Sequence, residues 1–272
     1  MRRDDTNVDN EKRGKLLLLA AVIALSMFLS KIIFSGQVAV WRIFLDAGIS
    51  FIGVIVGLLW AFNFQVKKQS FRYIFHAALF VSSQILFVDF FFFQKFNRIY
   101  EALILLILIV AVFFACYFVF LMVNTLNVNL FKPIPLAQVG RTISYISSIF
   151  MVYSLTFTFL ISGLPSYITI PSILLLYFII VVIHYSNIEI EGRELLRKTL
   201  MTTLIMSILL ASVIFSGNSH EIISIIPVVG YFISVNMVTH ERISSLKNSV
   251  INIYILLLLI TLIFVFIINI QG

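Results

Sequence analysis

The sequence predicts an all-α protein: a polytopic transmembrane helix bundle of about nine spans, with its amino terminus inside and its carboxyl terminus outside. Three observations lead to this fold class. The chain is 61% hydrophobic and 11% charged, whereas soluble domains are about half apolar and about a quarter charged. The apolar residues also gather into nine long runs, and lysine and arginine alternate between abundant and scarce in the segments between them.

Each of the nine runs has the length and pattern of a membrane-spanning helix. A span needs about 20 mostly apolar residues to cross the hydrocarbon core. Backbone amides in lipid must bond within a helix or a closed barrel, and continuous rather than alternating apolar runs favour helices. The predicted spans are 15–34, 40–62, 73–93, 102–123, 142–162, 168–185, 199–215, 222–238 and 250–270.

The first run is predicted to be a retained span and not a cleavable signal peptide. A signal has a short apolar core followed by small residues at a cleavage point, but this run continues through Phe28 and Ile33. Residues 1–14 before it carry eight charges and almost no apolar side chain. That composition predicts a disordered cytoplasmic tail.

The eighth run, 222–238, is short and contains Pro227 and Gly230. These residues predict a kinked or partly re-entrant helix, and without this span the count would be eight. All connections are short, so we expect residues 15–272 to form a single membrane domain.

The distribution of basic residues orients the nine spans. With the amino terminus inside, the inner segments hold fifteen of the nineteen lysines and arginines. The outer side then holds only Lys31, Arg42, Lys95 and Arg98. This asymmetry is what the positive-inside rule requires, and the opposite orientation would reverse it.

Five polar residues of the first three spans form a candidate outer-leaflet cluster. Lys31, Arg42, Asp46 and Asp89 all fall within about two turns of the outer surface, and Gln84 lies deeper on the third span. Ionisable groups inside a span are costly and call for a partner or a function. One interpretation is an outward-facing pocket in which the aspartates bind a cation or proton and the basic residues bind an anionic group.

A structural interpretation of the same charges is also open. Arg42 and Asp46 lie four residues apart and can neutralise each other along one helix. Lys31 can extend to the outer headgroups, and Asp89 can pair with Lys95 or Arg98.

The inner loop between the fourth and fifth spans is a second candidate region, suited to a lipid headgroup or a partner protein. It contains two prolines and no aspartate, glutamate or histidine, which makes it a poor candidate for acid–base catalysis. The alternative is a rigid elbow that ends the fourth span. Its polar residues are Asn127, Asn129, Lys132, Gln138 and Arg141.

The sequence predicts no metal site and no cofactor. Cys116 is the only cysteine and lies within the fourth run, where a small buried side chain is expected. His76 and His184 have no second histidine, cysteine or carboxylate at helical spacing within their spans. We expect these histidines to form hydrogen bonds near the inner interface.

No phosphate-binding glycine loop, nucleophile elbow or His-Glu-x-x-His motif is present in the sequence. We therefore expect a multi-pass protein of the cell membrane, either a transport component for a small solute, ion or lipid, or a noncatalytic subunit of a membrane complex. The alternative is an intramembrane enzyme that acts on a lipid or lipid-linked substrate. We expect the lipid bilayer and other membrane proteins as partners. Nucleic acid is not expected, because the net charge of +7 is spread over short loops.

Overall fold

The computed structural model describes residues 3–33, 39–91, 99–131, 136–214, 220–243 and 248–271. It is 92% helical, and those ranges contain no strand. The predicted all-α fold class is confirmed.

The described ranges contain ten α-helices, and a short 3₁₀ helix over Lys68–Ser70 precedes the third. In chain order the helices are α1 (Arg3–Ile33), α2 (Val40–Ala61), α3 (Phe71–Phe91), α4 (Ile99–Phe131), α5 (Ala137–Ile161), α6 (Ser166–Asn187), α7 (Gly192–Ile214), α8 (His220–Ile223), α9 (Ile225–Ile243) and α10 (Asn248–Gln271).

Eight stretches among the described residues are long and apolar enough to cross a membrane, and they correspond to the first eight predicted spans. The chain is therefore a multi-pass membrane protein. The ninth predicted span is also helical and corresponds to α10. Among its described side chains, the apolar stretch covers only Ile251–Ile263. The count of nine and the orientation stay predictions.

α1 begins at Arg3 and continues into the first span, and the disordered cytoplasmic tail predicted over residues 1–14 stays a prediction. Extending a helix that the first span has already nucleated costs little free energy. Lys15 then anchors this part of α1: its Nζ lies 2.7 Å from Glu11 Oε1 and donates to Asn63 Oδ1 at 2.9 Å. The same ammonium lies 5.2 Å from the ring centre of Trp60.

The helix break in the eighth span lies at Ser224, between α8 and α9, and α9 continues through both Pro227 and Gly230. Pro227 is the third residue of α9, where the missing N–H breaks no helical hydrogen bond. Gly230 allows α9 to approach α7 closely, since a Cβ there would lie 2.6 Å from Leu209 Cδ1.

The chain separates into two compact units, Met1–Ser147 and Ser148–Gly272. The single membrane domain over residues 15–272 stays a prediction. In the first unit α3 is the central element, since it packs against both α2 and α4. Most of its side chains are buried, including the polar Ser82, Ser83 and Gln84. A helix enclosed in this way has little surface left for lipid.

Two contacts bring α2 close to its neighbours. A Cβ on Gly57 would lie 2.6 Å from Leu19 Cδ1 of α1, so a larger residue at this crossing would have to displace the Leu19 side chain. On the α3 side, the Ser82 hydroxyl donates to the Ala47 carbonyl at 3.0 Å. Small and hydroxylated residues at helix crossings are the usual means of close packing in membranes.

The second unit is organised around α6, α7 and α9, and α10 packs on α9. Two tyrosine hydroxyls bond to neighbouring helices: Tyr177 with Thr156 at 2.6 Å, and Tyr185 with Thr202 at 2.7 Å. These buried hydroxyl pairs satisfy polar groups that lipid cannot hydrogen-bond.

Candidate functional site

The first unit contains an ion pair between α1 and α3. Lys31 Nζ lies 3.0 Å from Asp89 Oδ1 and donates to the Asp89 backbone oxygen at 3.1 Å. The two side chains are only 13% and 15% exposed. Lys31 is therefore directed towards α3. The structural interpretation had Lys31 extend to the outer headgroups, whereas its ammonium group pairs with Asp89.

A cavity of about 220 Å³ lies beside this ion pair, between α1, α2 and α3. Its charged lining residues are Arg42, Asp46 and Asp89. Three of the five residues of the predicted outer-leaflet cluster thus line one cavity. A fourth, Lys31, forms an ion pair with Asp89, which is one of the lining residues. Their role in binding stays a prediction.

Helix geometry explains how α2 contributes to the cavity. Arg42, Asp46 and Ser50 follow one another at four-residue intervals, which places them along one face of α2. All three line the cavity. Ser50 was not among the predicted site residues, although its four-residue spacing from Asp46 indicates the same helical face.

Serine hydroxyls from α1 line the opposite side of the cavity. Ser26 and Ser30 are again four residues apart, and each donates its hydrogen to a carbonyl of its own helix: Ser26 to Ile23 and Ser30 to Met27. Their oxygens keep acceptor capacity. The lining thus offers carboxylate and hydroxyl oxygens together with one guanidinium group.

Gln84 does not belong with the other four residues of the predicted cluster. Its side chain is buried, its Nε2 donates to Ser83 Oγ at 3.3 Å, and it is not among the residues that line the cavity. Five residues along a helix correspond to a rotation of about 140° from Asp89. Ile85, four residues from Asp89, takes the lining position instead.

The other face of α1 is different in character. An open groove of about 300 Å³ between α1 and α4 is lined only by apolar side chains, among them Ala24, Phe28 and Phe113. In the first unit, α1 thus has a polar cavity on one side and an apolar groove on the other.

The predicted inner-loop site is described only in part. Asn127 is buried in α4 and accepts a hydrogen bond from Ser70, so it has a structural contact within the bundle. Gln138 is exposed and Arg141 half-buried in the first two turns of α5. Lys132 and the side chain of Asn129 lie outside the described residues.

Both in-span histidines are buried. His76 Nε2 lies 2.7 Å from Ser147 Oγ, and Ser147 donates its own hydrogen to the Ser144 carbonyl. The Ser147 oxygen therefore accepts from Nε2–H, which assigns the tautomer of His76. In the second unit, His184 packs against Tyr231 with ring centres 5.8 Å apart.

Within the described ranges, no group of three or more histidine, cysteine, aspartate or glutamate side chains is placed to hold a metal ion. His76 is also absent from the residues that line the cavity. The described lining therefore combines charged groups with hydroxyl oxygens and contains no imidazole.

Comparison with known proteins gives no significant match to a protein-family model, a curated protein or a solved structure.

Proposed function

We propose that the chain is a transport component for a small polar solute, and that the cavity between α1, α2 and α3 is its binding site. The observation that carries this proposal is that Arg42 and Asp46 of α2 and Asp89 of α3 line one cavity, although the two helices are separate segments of the chain. We further propose the cell membrane as its location, with this cavity at the outer end of the bundle.

The energetic cost of these charges supports a binding role. Each ionisable group within a span costs about 2.5–3.5 kcal/mol on insertion scales. The Lys31–Asp89 pair offsets part of this cost for two of them. Arg42 and Asp46 then line a cavity next to that pair, where a polar solute can contact them both.

The size of the cavity supports a small solute. Pockets for drug-sized ligands measure about 300–1,000 Å³, and this cavity is smaller, at about 220 Å³. Its charged and hydroxyl lining favours a polar molecule, because binding must replace the hydrogen bonds that water makes with these groups.

Uptake by purified protein in liposomes tests the proposal. Radiolabelled amino acids, organic cations and sodium form the solute panel, and Asp46→Asn is the key variant. Glu191→Gln is the matched control, because Glu191 is an exposed carboxylate in the second unit. We expect Asp46→Asn to keep its folded yield and lose uptake, while Glu191→Gln transports normally.

The other candidate functions give different results in the same assay. A noncatalytic subunit would show a lower folded yield for Asp46→Asn and no uptake by the unmodified protein. An intramembrane enzyme would show no uptake but would convert a lipid or lipid-linked substrate, and Asp46→Asn would abolish that conversion.

A further inference from the structure

We propose that the solute is a small zwitterion whose ammonium group pairs with Asp46 and whose carboxylate or phosphate pairs with Arg42. This inference rests on the proposed function, because it names the substrate class of the same cavity. It follows from the charge balance of the cavity and from the spacing of the two residues on α2.

The described charged groups at the cavity are two positive and two negative. The Lys31 ammonium neutralises Asp89 across the cavity wall, at 3.0 Å. Arg42 and Asp46 add one positive and one negative charge to the lining. Among the described residues the charges at the cavity thus balance, and a lone cation or anion would add an uncompensated charge at low dielectric, where such a charge is costly. A zwitterion brings both signs and leaves that balance unchanged.

The geometry of α2 also supports a zwitterionic ligand. Residues four apart on a helix have Cβ atoms about 5–6 Å apart on one face. Arg42 and Asp46 therefore present opposite charges side by side to the cavity. The guanidinium group suits an oxyanion, which it can hold through two parallel hydrogen bonds. The carboxylate accepts hydrogen bonds from an ammonium group next to it.

The Ser26, Ser30 and Ser50 hydroxyls add acceptors within the same lining. An ammonium group has three N–H donors, so one carboxylate does not satisfy it alone. The hydroxyl oxygens supply further acceptors without adding charge, which keeps the site balanced for a zwitterion.

Two kinds of zwitterion can reach the outer end of a membrane protein. One is a free amino acid, and the other is the headgroup of an ethanolamine phospholipid. Both join an ammonium group to an acidic group through a short chain, so both fit the same pair of residues.

Thermal unfolding of the purified full chain in detergent tests the class of ligand. The probes are alanine and glycerophosphoethanolamine as zwitterions, ethylamine and propionate as single charges, and ethylamine mixed with propionate as the unlinked pair. We expect alanine or glycerophosphoethanolamine to raise the unfolding temperature more than the mixture does. An equal rise with ethylamine alone or propionate alone, or no rise with either zwitterion, would overturn the proposal.

Variants assign the effect to the two residues. Arg42→Gln and Asp46→Asn should each weaken zwitterion binding at least about tenfold, which corresponds to about 1.4 kcal/mol. Exposed Arg193 and Glu191 give the matched controls Arg193→Gln and Glu191→Gln, which should bind as the unmodified protein does. Arg42→Lys keeps the charge and should retain part of the binding. Unchanged binding in folded Arg42→Gln or Asp46→Asn protein would contradict the assignment.

Nanodiscs of phosphatidylglycerol and of phosphatidylethanolamine separate the two kinds of zwitterion. If the headgroup occupies the site, alanine binding should be weaker in phosphatidylethanolamine discs. Equal binding in both discs identifies a free solute. Both results support a zwitterion site, whereas ethylamine binding as tight as alanine binding in either disc contradicts it.

The liposome assay separates this inference from the proposed transport. If a zwitterion binds at Arg42 and Asp46 but does not cross the membrane, the transport function fails and the zwitterion site stands. If Asp46-dependent uptake is found only for an inorganic cation, transport stands and the zwitterion inference fails.

Discussion

The ammonium nitrogen of Lys31 lies 3.0 Å from a carboxylate oxygen of Asp89, and this ion pair joins α1 to α3 across 58 residues of sequence. It forms one wall of the cavity that Arg42 and Asp46 line from α2. The pair is largely shielded from solvent. Because water screens its charges only weakly, breaking it should change the free energy of unfolding by a measurable amount.

Breaking this ion pair should destabilise the protein strongly. Lys31→Met removes the ammonium group that pairs with the Asp89 carboxylate, and Asp89→Leu removes the carboxylate that pairs with Lys31. Removing one member of a buried pair costs about 3–5 kcal/mol, and we expect a value near the lower end because both side chains keep some exposure. Chemical unfolding in detergent measures this loss.

The double variant Lys31→Met with Asp89→Leu should be more stable than the sum of the two single losses predicts, because both charges of the pair are then absent. Glu11→Gln is the control, since its partner Lys15 is on the same helix and Glu11 is 62% exposed. It should cost much less than either single change. A double variant whose loss equals that sum would show that the two side chains do not interact.

Two glycines of α2 should respond differently to the same substitution. Gly57→Leu places side-chain atoms where a Cβ already meets Leu19 at 2.6 Å, whereas a Cβ on Gly53 meets nothing within 4 Å. Overpacking costs about 1–3 kcal/mol. We expect a lower unfolding temperature for Gly57→Leu than for Gly53→Leu. Equal temperatures would argue against the close crossing of α1 and α2.

The buried contact between His76 and Ser147 should contribute to stability. Ser147→Ala removes the oxygen that accepts from His76 Nε2, and an unsatisfied buried donor costs about 1–3 kcal/mol. Ser212→Ala is the control, because the exposed Ser212 hydroxyl bonds only to a carbonyl of its own helix. If both variants unfold at the same temperature, the His76 contact contributes nothing measurable.

The orientation of the chain is testable with a reporter fused after Gly272. Fifteen of nineteen basic residues are on the inner side when the amino terminus is inside, so nine spans place the carboxyl terminus outside. We expect alkaline phosphatase, which is active only outside, to be active at this position. Activity of a cytoplasmic reporter there would contradict nine spans with this orientation.

The span boundaries were the most predictable part of the fold. The second span was predicted at 40–62 and α2 covers Val40–Ala61, while the sixth was predicted at 168–185 and α6 covers Ser166–Asn187. Bilayer thickness determines the length of an apolar run, and the charged residues of the connecting loops mark its ends. Both properties can be read directly from a sequence.

The sequence predicted the membrane depth of the charged residues of the site, but it could not predict which of them form ion pairs. Counting residues along each helix placed Lys31, Arg42, Asp46 and Asp89 at one level, yet whether Lys31 or a later residue pairs with Asp89 depends on how α1 packs beside α3. Gln84 was predicted to lie deeper on the third span, and it does not line the cavity because it is rotated about 140° from Asp89 around the helix axis. Helical phase would have separated it from Asp89.

Cysteine labelling tests the outward-facing polar cavity most directly. Cys116 is buried, and Cys116→Ser provides a cysteine-free background for Ser50→Cys, which lines the cavity, and Val54→Cys, one turn further along α2 and only 1% exposed. A membrane-impermeant thiol reagent added outside should label Ser50→Cys and leave Val54→Cys unmodified. No labelling of Ser50→Cys, or equal labelling of both, would contradict a cavity that opens to the outside.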